Sequence, residues 1–141
     1  MIAKLSEVLF VETLRRYMTT LPPDQAGMLA ASRDPAVGRV LELLHGEPEN
    51  EWTVADLARK VGVSRTRLSE RFRELLDDTP MAYLAKWRLR LGAELLATTE
   101  RSVSEVAADV GYASESAFNR AFKRQYDVPP AQYRKRLRGS S

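Results

Sequence analysis

The chain has 141 residues, 44% of them hydrophobic, which is room for one ordinary domain or two very small helical ones around a buried core. With no cysteine and a single histidine, His45, it has no disulfide, no thiolate metal site and no set of imidazoles for a metal centre or a Ser-His-Asp triad, and it fits a reducing cytoplasm. The net charge of +3 is unevenly spread: residues 1–50 carry five Lys/Arg against seven Asp/Glu, and residues 51–141 carry seventeen against twelve, as expected of a segment that meets a polyanion.

One lysine precedes the first apolar stretch, which Glu7 and Glu12 interrupt, so the N-terminus reads as neither a signal peptide nor a membrane span. Ile2, Leu5 and Leu9, continued by Phe10, Leu14, Tyr17 and Met18, form the apolar stripe of an amphipathic helix over residues 2–18. Leu21-Pro22-Pro23-Asp24 ends it, and residues 25–31 read as a short intervening segment. Asp34-Pro35 supplies an N-cap and a proline at the first helical position, opening a helix to His45 with Gly46 as its stop. His45 is then a surface histidine at a helix C-terminus. Residues 47–51, Glu-Pro-Glu-Asn-Glu, are a polar connector.

The remainder is an internal repeat. Leu57-Ala58 matches Val106-Ala107, and Gly62 matches Gly111, at an offset of 49 residues. Ser64 matches Ser114, Leu68 Phe118, Phe72 Phe122, Pro80 Pro130 and Tyr83 Tyr133 at an offset of 50, so the second copy carries one extra residue at Tyr112-Ala113. Each copy opens with a hydroxyl cap and an acid three residues on, Thr53 with Asp56 and Ser102 with Glu105. A brief helix follows, over 54–60 and 103–109, then a glycine turn where positive φ is needed. A second helix, capped by Ser64 or Ser114, runs over 64–76 or 114–126, giving helix, turn, helix. Pro80 starts a linking helix to Thr98, about 27 Å long at 1.5 Å per residue. No strand pattern of comparable length appears. The expected fold is all-α: an N-terminal helical extension over 1–33, a first helix-turn-helix subdomain over 34–80, a linking helix over 81–98, a second subdomain over 99–138 and a tail over 139–141.

Leu68 and Phe72, four apart, mark the buried face of the second helix in the first copy. The opposite face holds Thr66, Glu70 and Arg73, flanked by Arg67, Ser69 and Glu74. In the second copy Phe118 and Phe122 are buried, which exposes Ser116, Arg120 and Lys123, flanked by Asn119 and Arg124. A helix presented in this way fits the DNA major groove, where Arg pairs with guanine, Asn with adenine, and Glu accepts from cytosine. Ser64, Arg65, Arg67, Arg71 and Arg73 in one copy, with Ser114, Lys123 and Arg124 in the other, suit phosphate. A polar outer face is also ordinary for any surface helix, and Glu70 could pair with Arg67 or Arg73 at helical spacing. The linking helix can hold the two reading helices about 34 Å apart, the separation of successive major grooves on one side of the duplex. Because the outer faces differ, one monomer should read two different half-sites.

The run from Val106 to Arg124, Val-Ala-Ala-Asp-Val-Gly-Tyr-Ala-Ser-Glu-Ser-Ala-Phe-Asn-Arg-Ala-Phe-Lys-Arg, followed by Pro130 and Tyr133-Arg134, resembles the DNA-binding signature of the AraC/XylS family of bacterial transcription regulators. Tyr83-Leu84, Trp87-Arg88-Leu89 and Leu95-Leu96 resemble that family's inter-unit helix. The resemblance covers residues 52–134. It implies two helix-turn-helix subdomains that bind promoter DNA, activate transcription by touching RNA polymerase and work in the bacterial cytoplasm. It places the base-reading residues two, five and six positions after each capping serine: Thr66, Ser69 and Glu70, then Ser116, Asn119 and Arg120. Asp77 and Asp127 stand where that family usually has glycine, a substitution Asp partly tolerates. Gly92 stands for the common alanine, at about 1 kcal/mol of helix propensity unless close packing requires it. Residues 34–52 resemble the junction that follows a cupin-like sensory domain in such regulators. With no such domain in this sequence, the expectation is a shortened form with no ligand response, and residues 2–18 are a candidate for homodimerisation.

The alternative is a helical module that binds a partner protein such as the polymerase without reading bases. Glu74, Asp77 and Asp78 fall at exposed helix ends and nothing sets a nucleophile beside a base, so no catalytic residue, cofactor, metal ligand or membrane contact is expected.

Overall fold

The computed structural model describes residues 23–139, with side chains from residue 27 onward; the helix expected over 2–18 and the end of the tail lie outside them. The described residues form eight α-helices and no strand. They are α1 (Pro23–Arg33), α2 (Pro35–Gly46), α3 (Val54–Val61), α4 (Arg65–Leu76), α5 (Pro80–Thr98), α6 (Val103–Asp109), α7 (Glu115–Tyr126) and α8 (Pro130–Gly139).

Residues 25–31, expected to be a short connecting segment, are the body of α1. Pro23 opens that helix and an alanine-rich run carries it on. It packs across α2 and α4, and Ala31 is fully buried in the core they share. The division expected at residue 33 therefore falls inside a packed unit.

The helices from α2 to α7 each begin at a local cap. Asp34 Oδ2 accepts from the N–H groups of Ala36 at 3.2 Å and Val37 at 2.9 Å, with Pro35 in the first turn. Ser102 and Glu105 form a complete capping box. In the first copy only one arm forms: Thr53 Oγ1 accepts from Asp56 N–H at 3.1 Å, while the Asp56 carboxylate, one methylene shorter than glutamate, receives Arg59 Nη2 at 2.8 Å. At the helix ends Asp77 and Asp127 adopt the left-handed conformation, φ 54° and 66°, and their N–H groups close on the carbonyls of Arg73 and Lys123, each at 2.8 Å.

Two apolar cores result. The first joins Ala31, Val37, Val40, Leu41, Leu44, Trp52, Leu57, Ala58, Leu68, Phe72 and Leu84. The second joins Leu89, Ala93, Leu96, Val106, Ala107, Val110, Phe118 and Phe122. Each large side chain so buried contributes about 1.5–3 kcal/mol. The helix α5, 19 residues and about 28 Å long, serves both, giving Leu84 to the first and Leu89, Ala93 and Leu96 to the second. Gly92 lies where a Cβ would sit 2.9 Å from the edge of the buried Phe118 ring, so close helix packing accounts for a glycine there. Arg134 of α8 closes the far end of α5, donating through Nε to the Leu96 carbonyl at 2.9 Å and through Nη2 to the Thr99 carbonyl at 3.3 Å.

His45 does more than sit on the surface. Its ring lies 4.3 Å from that of Trp87, and Nε2 shares a 2.6 Å hydrogen bond with the Tyr83 hydroxyl, tying the end of α2 to α5. Burial lowers its pKa below the ordinary value. The unfolded chain therefore binds the proton more tightly, and the stabilising effect, whole above pH ~6.5, is lost as pH falls from there toward the lowered folded value. Since the ring is part exposed, a shallow fall in melting temperature is expected as pH drops below about 6.5, absent in His45→Gln. Thermal melts of the two proteins across that range check it. An identical slope in the variant would place the titration elsewhere.

Candidate nucleic-acid interface

Two helix-turn-helix units carry the outward-facing polar residues. In the first, α3 ends at Gly62, φ +77°, whose left-handed turn sends the chain into α4; in the second, Gly111, φ +102°, follows α6 and leads into α7. Ser64 Oγ accepts from Arg67 N–H and Ser114 Oγ from Ala117 N–H, both at 3.1 Å. Each cap keeps a hydroxyl proton to donate outward, beside the positive end of its helix. The extra residue of the second copy is accommodated by Tyr112, whose ring packs 5.4 Å from that of Phe118.

Leu68 and Phe72 anchor α4, and Phe118 and Phe122 anchor α7, all fully buried. These contacts fix which side turns outward. Thr66, Glu70 and Arg73 on α4 and Ser116, Arg120 and Lys123 on α7 are exposed, while Ser69 and Asn119 are partly buried on the flank. Arg65, Arg67 and Arg124 are also exposed. Among the described residues, Arg65, Arg67, Arg73, Arg120, Lys123 and Arg124 make no ion pair, and Glu70 forms neither of the helix-spaced pairs open to it. Both second helices thus present side chains with uncommitted donors, and α4 adds one uncommitted carboxylate.

Arg71 differs. Expected from sequence to contact phosphate, it donates through Nε to Asp34 Oδ1 at 2.9 Å and through Nη1 to Glu74 at 3.0 Å. Burial opposes the charge of Asp34, but the N–H groups of Val37 and Ala36 and the Arg71 guanidinium outweigh it and hold that carboxyl below its usual range. Arg71 is therefore a strut between α4 and the start of α2, and Asp34 both caps α2 and seats α4. The two residues are 37 apart, and local sequence carried no sign of the pairing.

No cluster of residues able to hold a metal is found among the described residues, and no described helix is long and apolar enough to cross a membrane.

Residues 57–136 match the family model of a helix-turn-helix domain. Over 130 residues, 92% of this chain, the sequence is 38% identical to the HTH-type transcriptional regulator AlkR of Acinetobacter baylyi, covering 42% of that protein. The chain spans less than half the length of that relative and of others like it. Among solved structures, the DNA-binding domain of AdpA, a global transcriptional factor, in complex with a target DNA superposes with a TM-score of 0.72 at 32% identity, covering 76% of this chain and 96% of that one. An AraC-type DNA-binding domain protein of Chromobacterium violaceum superposes with a TM-score of 0.68 at 25% identity, covering 73% of this chain and 92% of that one.

Proposed function

This chain belongs to the AraC family of helix-turn-helix DNA-binding transcription regulators, and from that premise we propose that it reads double-stranded promoter DNA in two successive major grooves, α4 in one and α7 in the next. The observation that carries this reading is the pair of capped helices with uncommitted polar faces, one in each of two units strung on the 19-residue α5. Thr66, Ser69 and Glu70 would meet base edges in one groove, and Ser116, Asn119 and Arg120 in the other. Ser64, Arg65, Arg67, Arg73, Ser114, Lys123 and Arg124 would hold the backbone on either side. Arg71 is left out of that set because its guanidinium already holds Asp34 and Glu74. The DNA-bound domain of AdpA supports DNA as the partner. Promoter DNA places the chain in the bacterial cytoplasm.

Selection from a random duplex pool at about 150 mM salt, near physiological ionic strength, tests this. Enrichment of one asymmetric site, with two dissimilar segments about 10 base pairs apart centre to centre, is the expected outcome. A palindrome would instead indicate a dimer, with residues 2–18 as its first candidate contact. No enrichment would favour a module that binds protein without reading bases. We also infer that the bound chain activates by touching RNA polymerase. Run-off transcription from a promoter carrying the selected site should rise on adding the chain, and a fall would make it a repressor.

A further inference from the structure

The turn of the second helix-turn-helix unit is packed against the segment that leads into the first. A Cβ at Gly111 would lie 2.8 Å from Arg88 Nε, 2.8 Å from the Pro48 carbonyl oxygen and 3.0 Å from Glu49 Cα. These neighbours are themselves joined: Arg88 Nε donates to the Pro48 carbonyl at 2.8 Å, and Nη2 donates to the Asn50 carbonyl at 2.9 Å. The connector is fixed from behind as well. Trp52, buried in the first core, donates through Nε1 to the Glu47 carbonyl at 2.8 Å and through its N–H to the Asn50 carbonyl at 2.8 Å. Pro48 is buried.

The internal repeat supplies a comparison. Gly62 is the same residue in the same turn of the first unit, also at positive φ, yet nothing lies within 4 Å of where its Cβ would be. Positive φ alone accounts for glycine at Gly62. At Gly111 there is a second requirement, a close approach that only the second copy makes.

The position of Arg88 gives that contact mechanical meaning. It lies on α5 four residues after Leu84 and four before Gly92, between the side chains that enter the first core and those that enter the second. The first unit holds α5 near its start, through Leu84 with Met81 and Tyr83 beside it, whereas Leu89, Ala93 and Leu96 bind the rest of α5 to the second unit. Besides Leu84, the His45–Trp87 ring contact and the Lys86–Asp78 ion pair tie α5 to the first unit, all of them before Arg88 on the helix, so a further hold beyond them limits how far the second unit can tilt. Arg88 provides that hold through charge-assisted hydrogen bonds to the Pro48 and Asn50 carbonyls, and Gly111 packs closely against the same stretch.

We propose that Arg88, Gly111, Pro48 and Asn50 form a clasp that fixes the angle and phase between α4 and α7, so that the spacing between half-sites is read by residues that touch no base. The inference rests on the two-groove reading above. Adding one base pair between half-sites moves the far one by about 3.4 Å and turns it by about 35°. A clasped pair of units cannot follow that rotation, whereas a loosened pair can, at the expense of a lower effective concentration at the second half-site.

The test uses the full chain and the duplex it selects. Affinities are measured by fluorescence anisotropy for that duplex, for versions with one base pair added or removed between the segments, and for each segment alone. The native chain should bind the altered spacings about 30-fold more weakly or worse, because only one unit can engage. Arg88→Met keeps the aliphatic stem and removes the donors. It should weaken the selected duplex roughly 10-fold, shrink the spacing penalty to about 3-fold, and leave the single segments bound as before. Gly111→Ala should shrink the spacing penalty alike, although its strained turn also weakens the second segment alone, whereas Gly62→Ala, which strains the matching turn without touching the connector, should weaken the first segment alone and keep the native penalty. Should Arg88→Met fail to give the native helical circular dichroism, Arg88→Lys and Gly111→Ala carry the comparison. A native spacing penalty in folded Arg88 and Gly111 variants overturns the clasp. A native chain that shows no preference for a two-segment duplex fails the two-groove reading itself, and the clasp with it.

Discussion

Phe122→Ala is expected to remove about 3–5 kcal/mol of stability, the range for truncating a fully buried aromatic residue. Its ring has no exposed surface and stands at the centre of the second core. It stacks on Tyr126 at 4.5 Å, meets Tyr133 edge-on at 5.3 Å and lies 5.5 Å from Phe118. The three contacts come from within α7 and from α8, so no single neighbour can close the hole. At roughly 0.05–0.15 kcal/mol per residue, a unit of about 50 residues has only some 2.5–7.5 kcal/mol in total, so the loss is comparable to all that holds the second unit together. The first core shares no buried residue with the second, and both tryptophans lie outside it. Tryptophan emission should therefore stay native-like in Phe122→Ala at temperatures where hydrogen exchange shows the amides of α6–α8 open. A melting curve that matches the native one would contradict the core placement. Simultaneous loss of both signals would mean that the two cores unfold as one.

What could be read from sequence divides by distance along the chain. The four anchors Leu68, Phe72, Phe118 and Phe122 were legible because four-residue spacing on a helix is a local signal, and the second copy repeated it. Asp77 and Asp127 were legible only through the family resemblance, which puts glycine at both positions, and both take the left-handed conformation. The helix α1 was not, because Gly27 interrupts it and its apolar residues do not fall on one stripe, so packing on α2 and α4 decides its conformation. Arg71 with Asp34, and Arg88 with Pro48 and Asn50, join residues 37 to 40 positions apart. For Arg71 that distance changed the reading: alone it is one more cation on a basic helix, and only the fold shows that its charge is already committed. The outward set Thr66, Glu70, Ser116 and Arg120 followed from the anchors by geometry alone, and Ser69 and Asn119, named by family resemblance, lie on the partly buried flank where the helical wheel puts them.

Arg120→Ala is expected to cost about 1–3 kcal/mol at one base pair of the site and to relax the preference there, leaving the other positions unchanged. Arg120 lies six residues beyond the capping Ser114, on the side of α7 opposite Phe118 and Phe122, exposed and without an ion-pair partner among the described residues. A guanidinium in the middle of a groove-bound helix can give two parallel bonds to guanine O6 and N7, whereas the same group at a groove edge would meet phosphate. The two cases separate by pattern. Loss of a base contact flattens one column of the selected sequence, and Arg120→Lys does not restore it, because an ammonium cannot reproduce the planar pair of donors. Loss of a phosphate contact weakens all sequences alike and lowers the slope of log affinity against log salt by about 1, as is expected of Lys123→Ala on the same helix. Selection with Arg120→Ala, together with salt titrations of both variants, decides between them. A uniform loss with a reduced salt slope for Arg120→Ala would move this residue to the backbone and leave Ser116 and Asn119 to carry recognition in the second groove.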